Sequence, residues 1–371
     1  MTHADFYMPT RLFFGEDCLQ RGAEMIKNAG SNALLVTGRS SARLSGALHD
    51  VTALLDSLGI TFTIFDGVTE NPPLLTCHGA GVAAARAGVD FVIGIGGGSA
   101  LDAAKAIAAF AANPTLAPTD IYDAEKRQKS SLPLFAVPTT AGTGSEVNSF
   151  SVLTLPCGSR KKTFKAADSW PLAAFVNPRY TASLPHGTAV STALDAFAHA
   201  LESYLSPKAT LFSEQAALFA ATRLYEVLSR APSALNDDDR AQLSPAATAA
   251  GMAISVTGTG FPHPMGYSLT LLDGLPHGRA CACFAGDYIT YNQRSEQGAA
   301  RIADFCQKIG TKPRVLAALL EGLADVDFCF TEAEIATRVE LIAGAGNYQN
   351  SPYVLSKSEI YDIYRAHFLK K

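Results

Sequence analysis

The segment from Val89 to Phe110 constrains the fold most strongly, because an apolar run, a cluster of glycines and an Ala-rich stretch follow one another in VDFVIGIGGGSALDAAKAIAAF. A short apolar run that ends in glycines predicts a buried strand, and the Ala-rich stretch predicts a helix. This order of strand, turn and helix is typical of one βα unit in a parallel sheet.

The rest of the first half repeats the alternation of strand and helix patterns. Apolar runs with strand character lie at 32–38, 61–68 and 134–140, and helical patterns lie between them. Strands that alternate with helices at this spacing predict parallel βαβ units with helices on both faces of one sheet.

The pattern changes near residue 185, where the chain becomes rich in Ala, Leu and Glu and strand-like alternation almost disappears. We therefore predict an α/β domain over residues 1–183 and an all-helical domain over residues 184–371; the motifs described below assign dinucleotide binding to the first, and metal binding and catalysis to the second. Pro185 interrupts the sequence at this boundary. Since no long linker is present, we expect the two domains to pack together with a cleft between them.

Composition excludes several classes of protein. Of the 371 residues 48% are hydrophobic and 17% charged, and the net charge of -4 comes without a long basic run, which argues against nucleic acid or a membrane as a partner. The start of the chain lacks the pattern of a secretory signal, so a cytoplasmic location is expected. The seven cysteines do not indicate a disulfide framework, and Cys281 and Cys283 are interpreted as small buried residues.

The glycines at 96–98 predict a phosphate-binding turn. Glycine lets the backbone approach a phosphate closely, and the N–H groups at the start of the next helix attract an anion. Ser99 and Asp102 have the spacing of a capping box at this helix start. The alternative is a glycine turn that only closes an ordinary βα unit.

A second polar segment follows the next predicted strand, in PTTAGTGSEVNSF at 138–150. Its Thr139, Thr140, Thr143 and Ser145 offer hydroxyl groups that suit the phosphates and ribose of a dinucleotide. The alternative is a solvated loop, since Ser, Thr and Gly are common in loops.

One carboxylate and three imidazoles are candidate metal ligands. Asp195 and His199 are four residues apart in a helical pattern, so their side chains leave one face of the helix. His263 and His277 lie near breaks in the helical pattern. One oxygen and three nitrogens suit Zn²⁺ or Fe²⁺ and do not suit Ca²⁺ or Mg²⁺. The alternative is a surface Asp–His contact and structural histidines.

With these segments considered together, the chain resembles the iron-containing (group III) alcohol dehydrogenase family. The similarity spans nearly the whole chain and rests on GGGSALDAAK, PTTAGTGSEV, TALDAFAHALESY and HPMGYSLTLLDGLPHG. It implies a Rossmann-like N-terminal parallel-sheet domain, an all-helical C-terminal domain of the dehydroquinate synthase-like type, and a homodimer. It also implies an NAD(P)-dependent oxidoreductase that interconverts a small alcohol and an aldehyde at a divalent metal in the cleft.

The resemblance also implies the residues of the site. The metal ligands that it implies are Asp195, His199, His263 and His277. The cofactor contacts that it implies are Asn71, Gly97, Gly98, Ser99, Asp102, Thr139, Thr140, Thr143, Ser145 and Lys162. Many relatives carry a second His four residues after the third ligand, and here Tyr267 stands at that position. Tyr267 is interpreted as a candidate catalytic residue, with packing as the alternative.

The choice of dinucleotide follows from the end of the first predicted strand. Relatives that prefer NAD often have an Asp there, and this chain has Gly38, Arg39 and Ser40 instead. We therefore expect NADP to be accepted, with Gly38 and Ser40 near its 2′-phosphate and Arg39 as a further contact. The alternative is that Arg39 is a solvated surface residue.

Three other functions remain open at this stage. A metal-free reductase that resembles maleylacetate reductase is the first, a metal-assisted lyase on the same fold is the second, and a non-catalytic nucleotide-binding protein is the third. The sequence leaves the substrate undetermined, as well as the choice between Fe²⁺ and Zn²⁺.

Overall fold

The computed structural model describes residues 5–158, 160–230 and 234–370. Two compact units divide these residues. The first unit holds the described residues of 8–185 and 235–244, and the second holds those of 1–7, 186–234 and 245–371. The predicted roles of the two halves, a cofactor domain over 1–183 and a metal-binding domain over 184–371, stay predictions.

The first unit is built on a six-stranded parallel sheet with the strand order β1-β8-β5-β4-β2-β3. Its strands are β1 (Arg11–Phe14), β2 (Asn32–Gly38), β3 (Thr61–Val68), β4 (Phe91–Gly96), β5 (Leu134–Pro138) and β8 (Ala173–Val176). A separate antiparallel hairpin consists of β6 (Phe150–Thr154) and β7 (Lys161–Lys165).

Both faces of the sheet are buried, which explains why its central strands have continuous apolar sequences. Leu34 and Val92 pack into one hydrophobic cluster, while their neighbours Leu35 and Ile93 pack into another. Successive side chains of a strand point to opposite faces, so each face needs its own helical layer. The helices of this unit are α1 (Cys18–Arg21), α2 (Ala23–Lys27), α3 (Ser41–Leu44), α4 (Ala47–Ser57), α5 (Leu74–Arg86) and α6 (Gly98–Ala112).

Helices and the loops between them make up the described part of the second unit, with one isolated bridge between Phe330 and Leu369. Its helices are α7 (His186–Leu205), α8 (Leu211–Leu228), the part of α9 (Asp237–Thr257) that follows residue 244, α10 (Pro262–Leu272), α11 (His277–Ala282), α12 (Ala285–Asn292), α13 (Glu296–Lys308), α14 (Pro313–Ala324), α15 (Glu332–Ile342) and α16 (Lys357–Phe368). Short 3₁₀ helices lie at Pro118–Tyr122, Ser145–Val147, Pro178–Thr181 and Gly346–Asn350.

Residues 235–244, which include the first turns of α9, belong with the first unit. The Arg240 guanidinium donates hydrogen bonds to the backbone oxygen of Thr181 at 2.5 Å and to that of Leu184 at 3.3 Å. The sequence did not indicate this return of the chain, because the contact depends on one Arg in a polar helix start.

The predicted fold class is confirmed: a parallel sheet with helices forms the first half and helices form the second. The predicted strands at 32–38 and 61–68 match β2 and β3. The sequence analysis did not identify β1, β8 or the hairpin, whose strands are four or five residues long. Such short runs carry too few residues to show a period.

No helix in the described part of the chain is both long enough and apolar enough to cross a membrane. All seven cysteines lie among the described residues, and none of them is joined in a disulfide.

Candidate functional site

The carboxyl ends of β2, β4 and β5 lie side by side at one edge of the sheet. Thr37 near the end of β2 is opposite Ile95, and Gly96 at the end of β4 is opposite Pro138. The chain runs outward from β2 to β3 and then returns past β2 to β4 and β5, so the direction of winding reverses between β2 and β4. Open α/β sheets bind their ligands at such a reversal, outside the carboxyl ends of the strands.

The glycine turn opens α6 without a side-chain cap. Gly97 is the N-cap residue, and no side chain bonds to the helix start there. The expected capping box of Ser99 and Asp102 is therefore wrong, since the Ser99 hydroxyl instead accepts a hydrogen bond from the Asn71 backbone N–H at 3.3 Å. The first backbone N–H groups of a helix lack partners within it, so an uncapped start suits an anion such as a phosphate.

The loop after β5 packs directly against these glycines. A Cβ at Gly97 would lie 3.0 Å from Thr140 Cγ2, and one at Gly98 would lie 2.4 Å from Thr143 Cγ2. The Thr139 backbone N–H donates to the Gly96 oxygen at 3.0 Å. The structure thus brings together the two polar segments that the sequence analysis singled out, at the edge where the sheet reverses.

The other expected cofactor residues lie around this edge. Gly38 ends β2, and the exposed Ser40 is the N-cap residue of α3. Asn71 has a positive φ of 53°, and its oxygen accepts a hydrogen bond from Thr154 Oγ1 at 2.8 Å. Lys162 lies on β7 with Nζ 4.3 Å from the centroid of the Tyr122 ring. Contacts between these residues and a cofactor stay predictions.

Asp102 and Ser145 form hydrogen bonds inside the protein. Asp102 accepts from Ser145 Oγ at 2.6 Å and from the Val152 backbone N–H at 2.8 Å. Lys105, which the sequence analysis did not single out, is fully buried beside them. Its Nζ donates to Ser145 Oγ at 2.7 Å and to the Phe150 oxygen at 2.7 Å. This network joins α6 to the loop after β5 and to β6.

Burial dominates the electrostatics of this network. It lowers the pKa of Lys105 to about 8, although the charge of Asp102 acts in the opposite direction. It raises the pKa of Asp102, and the ammonium group of Lys105 partly offsets that effect. Each group therefore depends on the other to remain charged in the interior.

The metal-ligand candidates begin on α7. Asp195, His199 and Glu202 are spaced four and three residues apart, so they share one face of this helix. All three are at least 95% buried. The helix is rich in Ala, which favours the helical conformation and leaves room for close neighbours.

Two further helices bring the other imidazoles to the same place. His263 lies in the first turn of α10, and His277 is the first residue of α11. The Nε2 atoms of His199, His263 and His277 lie 3.7, 3.5 and 3.9 Å from Asp195 Oδ1. The four side chains that were expected to bind a metal thus lie together, with the three imidazoles around one oxygen of Asp195.

Glu202 holds the imidazole of His263. Both of its carboxylate oxygens lie close to His263 Nδ1, at 2.9 and 2.8 Å, and one also accepts from the Gly260 backbone N–H at 2.5 Å. Because a carboxylate accepts, Nδ1 carries the proton and Nε2 keeps its lone pair for a cation. The sequence analysis missed Glu202, although its position seven residues after Asp195 on an apolar helix face was a usable signal.

A glycine sets the approach of α11 to α7. A Cβ at Gly278 would lie only 1.7 Å from the Ser191 backbone oxygen and 2.8 Å from the Asp195 nitrogen. Neither partner can move aside for a Cβ in the way a flexible side chain could, because both are backbone atoms. Gly278 therefore allows His277, the preceding residue, to reach Asp195.

Two more side chains border the centre. The ring of Tyr267 stacks on that of His277, with centroids 5.9 Å apart and planes 24° apart. Cys281 follows His277 by one helical turn, and its Sγ lies 3.7 Å from His277 Nε2. Tyr267 is thus placed for packing against a candidate ligand, and its role in proton transfer stays a prediction.

The donor set fits a divalent cation. Asp195 Oδ1 and His263 Nε2 are buried and form no hydrogen bond of normal geometry with a described residue. Asp195 and Glu202 bring two carboxylates into the interior, where unbalanced charge costs several kcal/mol. Three neutral imidazoles do not balance that charge, whereas an ion with two positive charges does. One oxygen and three nitrogens suit Fe²⁺ or Zn²⁺.

The pKa shifts reflect the same crowding. Burial by itself would raise the pKa of Asp195, but the imidazoles, His199 first, lower it overall. Burial would lower the pKa of His263, but the charge of Glu202, its hydrogen bond to Nδ1 and the nearby Asp195 carboxylate raise it to about 10. Without a metal, a proton therefore supplies part of the positive charge that the two carboxylates require.

Replacement of Lys105 with Met should destabilise the protein by about 3–5 kcal/mol, because it leaves Asp102 buried without its partner. Urea unfolding measures this change. Lys126→Met is the matched control. Lys126 is 2.8 Å from Asp120, closer than Lys105 is to Asp102 at 3.9 Å, but Lys126 is exposed and Asp120 only half-buried. Equal effects of the two substitutions would contradict the assignment.

Glu202→Gln should weaken the binding of Zn²⁺ or Fe²⁺ by about 10–100-fold, because the partner that orients a ligating His is lost. Competition with a chelator of known affinity measures the dissociation constant. Glu296→Gln, at an exposed position at the start of α13, is the control and should bind metal like the original protein. An unchanged dissociation constant for Glu202→Gln would refute a role through His263.

In a comparison with known proteins, both halves of the chain match models of one protein family. Residues 9–178 match the model of iron-containing alcohol dehydrogenases, and residues 189–326 match the C-terminal domain of that family. Alcohol dehydrogenase 4 of Schizosaccharomyces pombe is 30% identical over 86% of this chain and 76% of its own length. Lactaldehyde reductase of Escherichia coli is 30% identical over 84% of this chain and 79% of its own length.

Solved structures agree in fold over the whole chain. An iron-containing alcohol dehydrogenase from Thermotoga maritima has a TM-score of 0.91 and 36% identity, and the match covers 98% of this chain and 99% of that one. Sulfoacetaldehyde reductase from Bifidobacterium kashiwanohense, solved with NAD⁺, has a TM-score of 0.86 and 25% identity, with 99% of each chain covered. The chain is an NAD(P)-linked oxidoreductase and belongs to the iron-containing alcohol dehydrogenase family.

Proposed function

We propose that this protein is a metal-dependent alcohol dehydrogenase, or aldehyde reductase, that transfers a hydride between nicotinamide C4 and a small alcohol or aldehyde. The observation that carries the proposal is the convergence of three imidazole Nε2 atoms within 3.5–3.9 Å of Asp195 Oδ1. The names of the relatives support small aldehydes as substrates, since they include lactaldehyde and sulfoacetaldehyde reductases. A cytoplasmic homodimer is part of the same proposal.

Each residue at the candidate metal site has a separate proposed role. Asp195, His199, His263 and His277 hold the cation, and Glu202 orients His263 and adds the second negative charge. When bound, the cation supplies a Lewis acid that polarises the substrate oxygen, and the nicotinamide supplies or accepts the hydride. The side chains of Asp195, His199 and His263 are buried, whereas 29% of the His277 side chain is accessible. His277 is therefore the most exposed of the four proposed ligands.

The start of α6 and the Thr-rich loop are proposed to bind the dinucleotide phosphates. The uncapped N-terminus at Gly97 supports this assignment, together with the packing of Thr140 and Thr143 against Gly97 and Gly98. The hydrogen bonds among Asp102, Lys105 and Ser145 then hold the loop after β5 against α6. Such positioning keeps the backbone donors aligned for the phosphate.

His263→Ala should lose the metal and reduce kcat/KM by about 100-fold or more, because a Lewis acid contributes several kcal/mol to the transition state. The measurement combines elemental analysis with anaerobic assays on a panel of short aldehydes, with NADPH or NADH and added Fe²⁺ or Zn²⁺. Circular dichroism checks that the fold remains. Full activity in protein without bound metal would overturn the proposal in favour of a metal-free reductase, and turnover without net oxidation of NAD(P)H would favour a lyase.

NADPH should be used at least as well as NADH, because β2 ends in Gly38 without a carboxylate that would repel a 2′-phosphate. Arg39 is exposed next to it, so Arg39→Gln should raise KM for NADPH and leave KM for NADH unchanged. Steady-state kinetics with both cofactors test this expectation. A strong preference of the unmodified protein for NADH would refute it.

A further inference from the structure

Cys281 brings a sulfur atom to the cation centre. One ligand atom from each of Asp195, His263, His277 and Cys281 lies within 4.8 Å of the other three. Cys281 Sγ is 3.7 Å from His277 Nε2 and 3.9 Å from His277 Nδ1. This cluster differs from the expected ligand set, because Cys281 stands in it where His199 was expected.

The position of this sulfur follows from the local fold. His277 and Cys281 are one turn apart in α11, so their side chains leave the same face of the helix. The Cys281 side chain is fully buried. A Cβ at Gly266 would lie 3.0 Å from the Ala280 carbonyl carbon, so α10 also packs closely on α11 beside Cys281. The thiol is therefore held at the centre by backbone packing on two sides.

We propose that Cys281 is a ligand for divalent cations that bind thiolate, such as Zn²⁺, Co²⁺ and Cd²⁺, at this centre. Asp195, His263 and His277 are common to two donor sets, one completed by His199 from α7 and the other by Cys281 from α11. A set with three nitrogens and one oxygen suits Fe²⁺, and a set with a thiolate favours softer ions. When sulfur binds, the thiol proton passes to solvent, as it does in other thiolate sites.

The buried atoms in the cluster support a ligand in this position. Asp195 Oδ1 and His263 Nε2 point into the same space and form no hydrogen bond of normal geometry with described residues. Around one tetrahedral Zn²⁺, thiolate sulfur binds at about 2.3 Å and imidazole nitrogen at about 2.0–2.1 Å, so neighbouring donors lie about 3.3–3.6 Å apart. Cys281 Sγ and His277 Nε2 lie near this spacing at 3.7 Å, and the wider pairs of the cluster, which lie within 4.8 Å, would close by about 1 Å around the ion.

Cys283 provides a matched control in the same segment. It is buried like Cys281 and lies two residues further along the chain, but it is not among the converging ligand atoms. Burial raises the pKa of the Cys283 thiol, with further contributions from the charges of Asp287 and Glu321. Replacement of either cysteine with Ser removes one sulfur and changes the side-chain volume very little.

Titration of the metal-free protein with Co²⁺ under anaerobic conditions tests the proposal, because Co²⁺ reports binding and sulfur ligation at different wavelengths. Visible d–d bands show that the ion is held in a site of low coordination number, whatever its ligands. A near-ultraviolet sulfur-to-cobalt charge-transfer band shows that a thiolate is bound. The original protein and Cys283→Ser should show both, and Cys281→Ser should keep the visible bands and lose the charge-transfer band.

The outcomes separate this inference from the proposed function on which it rests. Visible bands without a charge-transfer band in the original protein, or a charge-transfer band that persists in Cys281→Ser, would overturn the role of Cys281 and leave the metal centre intact. Absence of the visible bands in the original protein would overturn both. Cys281→Ala serves as a second variant if Ser disturbs the buried site, and His263→Ala should lose both signals.

Discussion

The hydrogen bond between Glu202 and His263 is the interaction on which the candidate metal site depends. Helical spacing puts two buried carboxylates, Asp195 and Glu202, on the same face of α7, and the His263 imidazole lies against both. Such an arrangement is unfavourable in the protein interior unless positive charge is supplied. A bound cation would therefore stabilise the two carboxylates on α7. His263 on α10 and His277 on α11 offer ring nitrogens as further ligands for it.

Sequence analysis predicted much of the fold because its signals were local and repeated. β2, β3 and β4 are apolar runs between helical patterns, and the second half carries helical patterns throughout. The short strands β1 and β8 at the far edge of the sheet carry no such signal. The return of residues 235–244 to the first unit depends on the hydrogen bonds of a single Arg, which no periodic pattern can indicate.

For the candidate site, the sequence could identify residues with distinctive chemistry but not those that act through a neighbour. Asp195 and His199 stand out by helical spacing, whereas Glu202 gains meaning only when His263 arrives from another helix. Lys105 is similar, because a Lys in an Ala-rich helix suggests a solvated surface until Ser145 and Asp102 surround it. Cys281 was interpreted as a small buried residue; it is buried, but its sulfur also faces His277.

The contact at Gly278 has a consequence for attempts to change which substrates the enzyme accepts. Here main chain meets main chain, so the distance between α7 and α11 is determined by peptide atoms and not by the sizes of side chains. A mutant library can therefore vary the side chains around the candidate metal site while the spacing of Asp195 and His277 remains the same. Position 278 should be kept invariant in such a library.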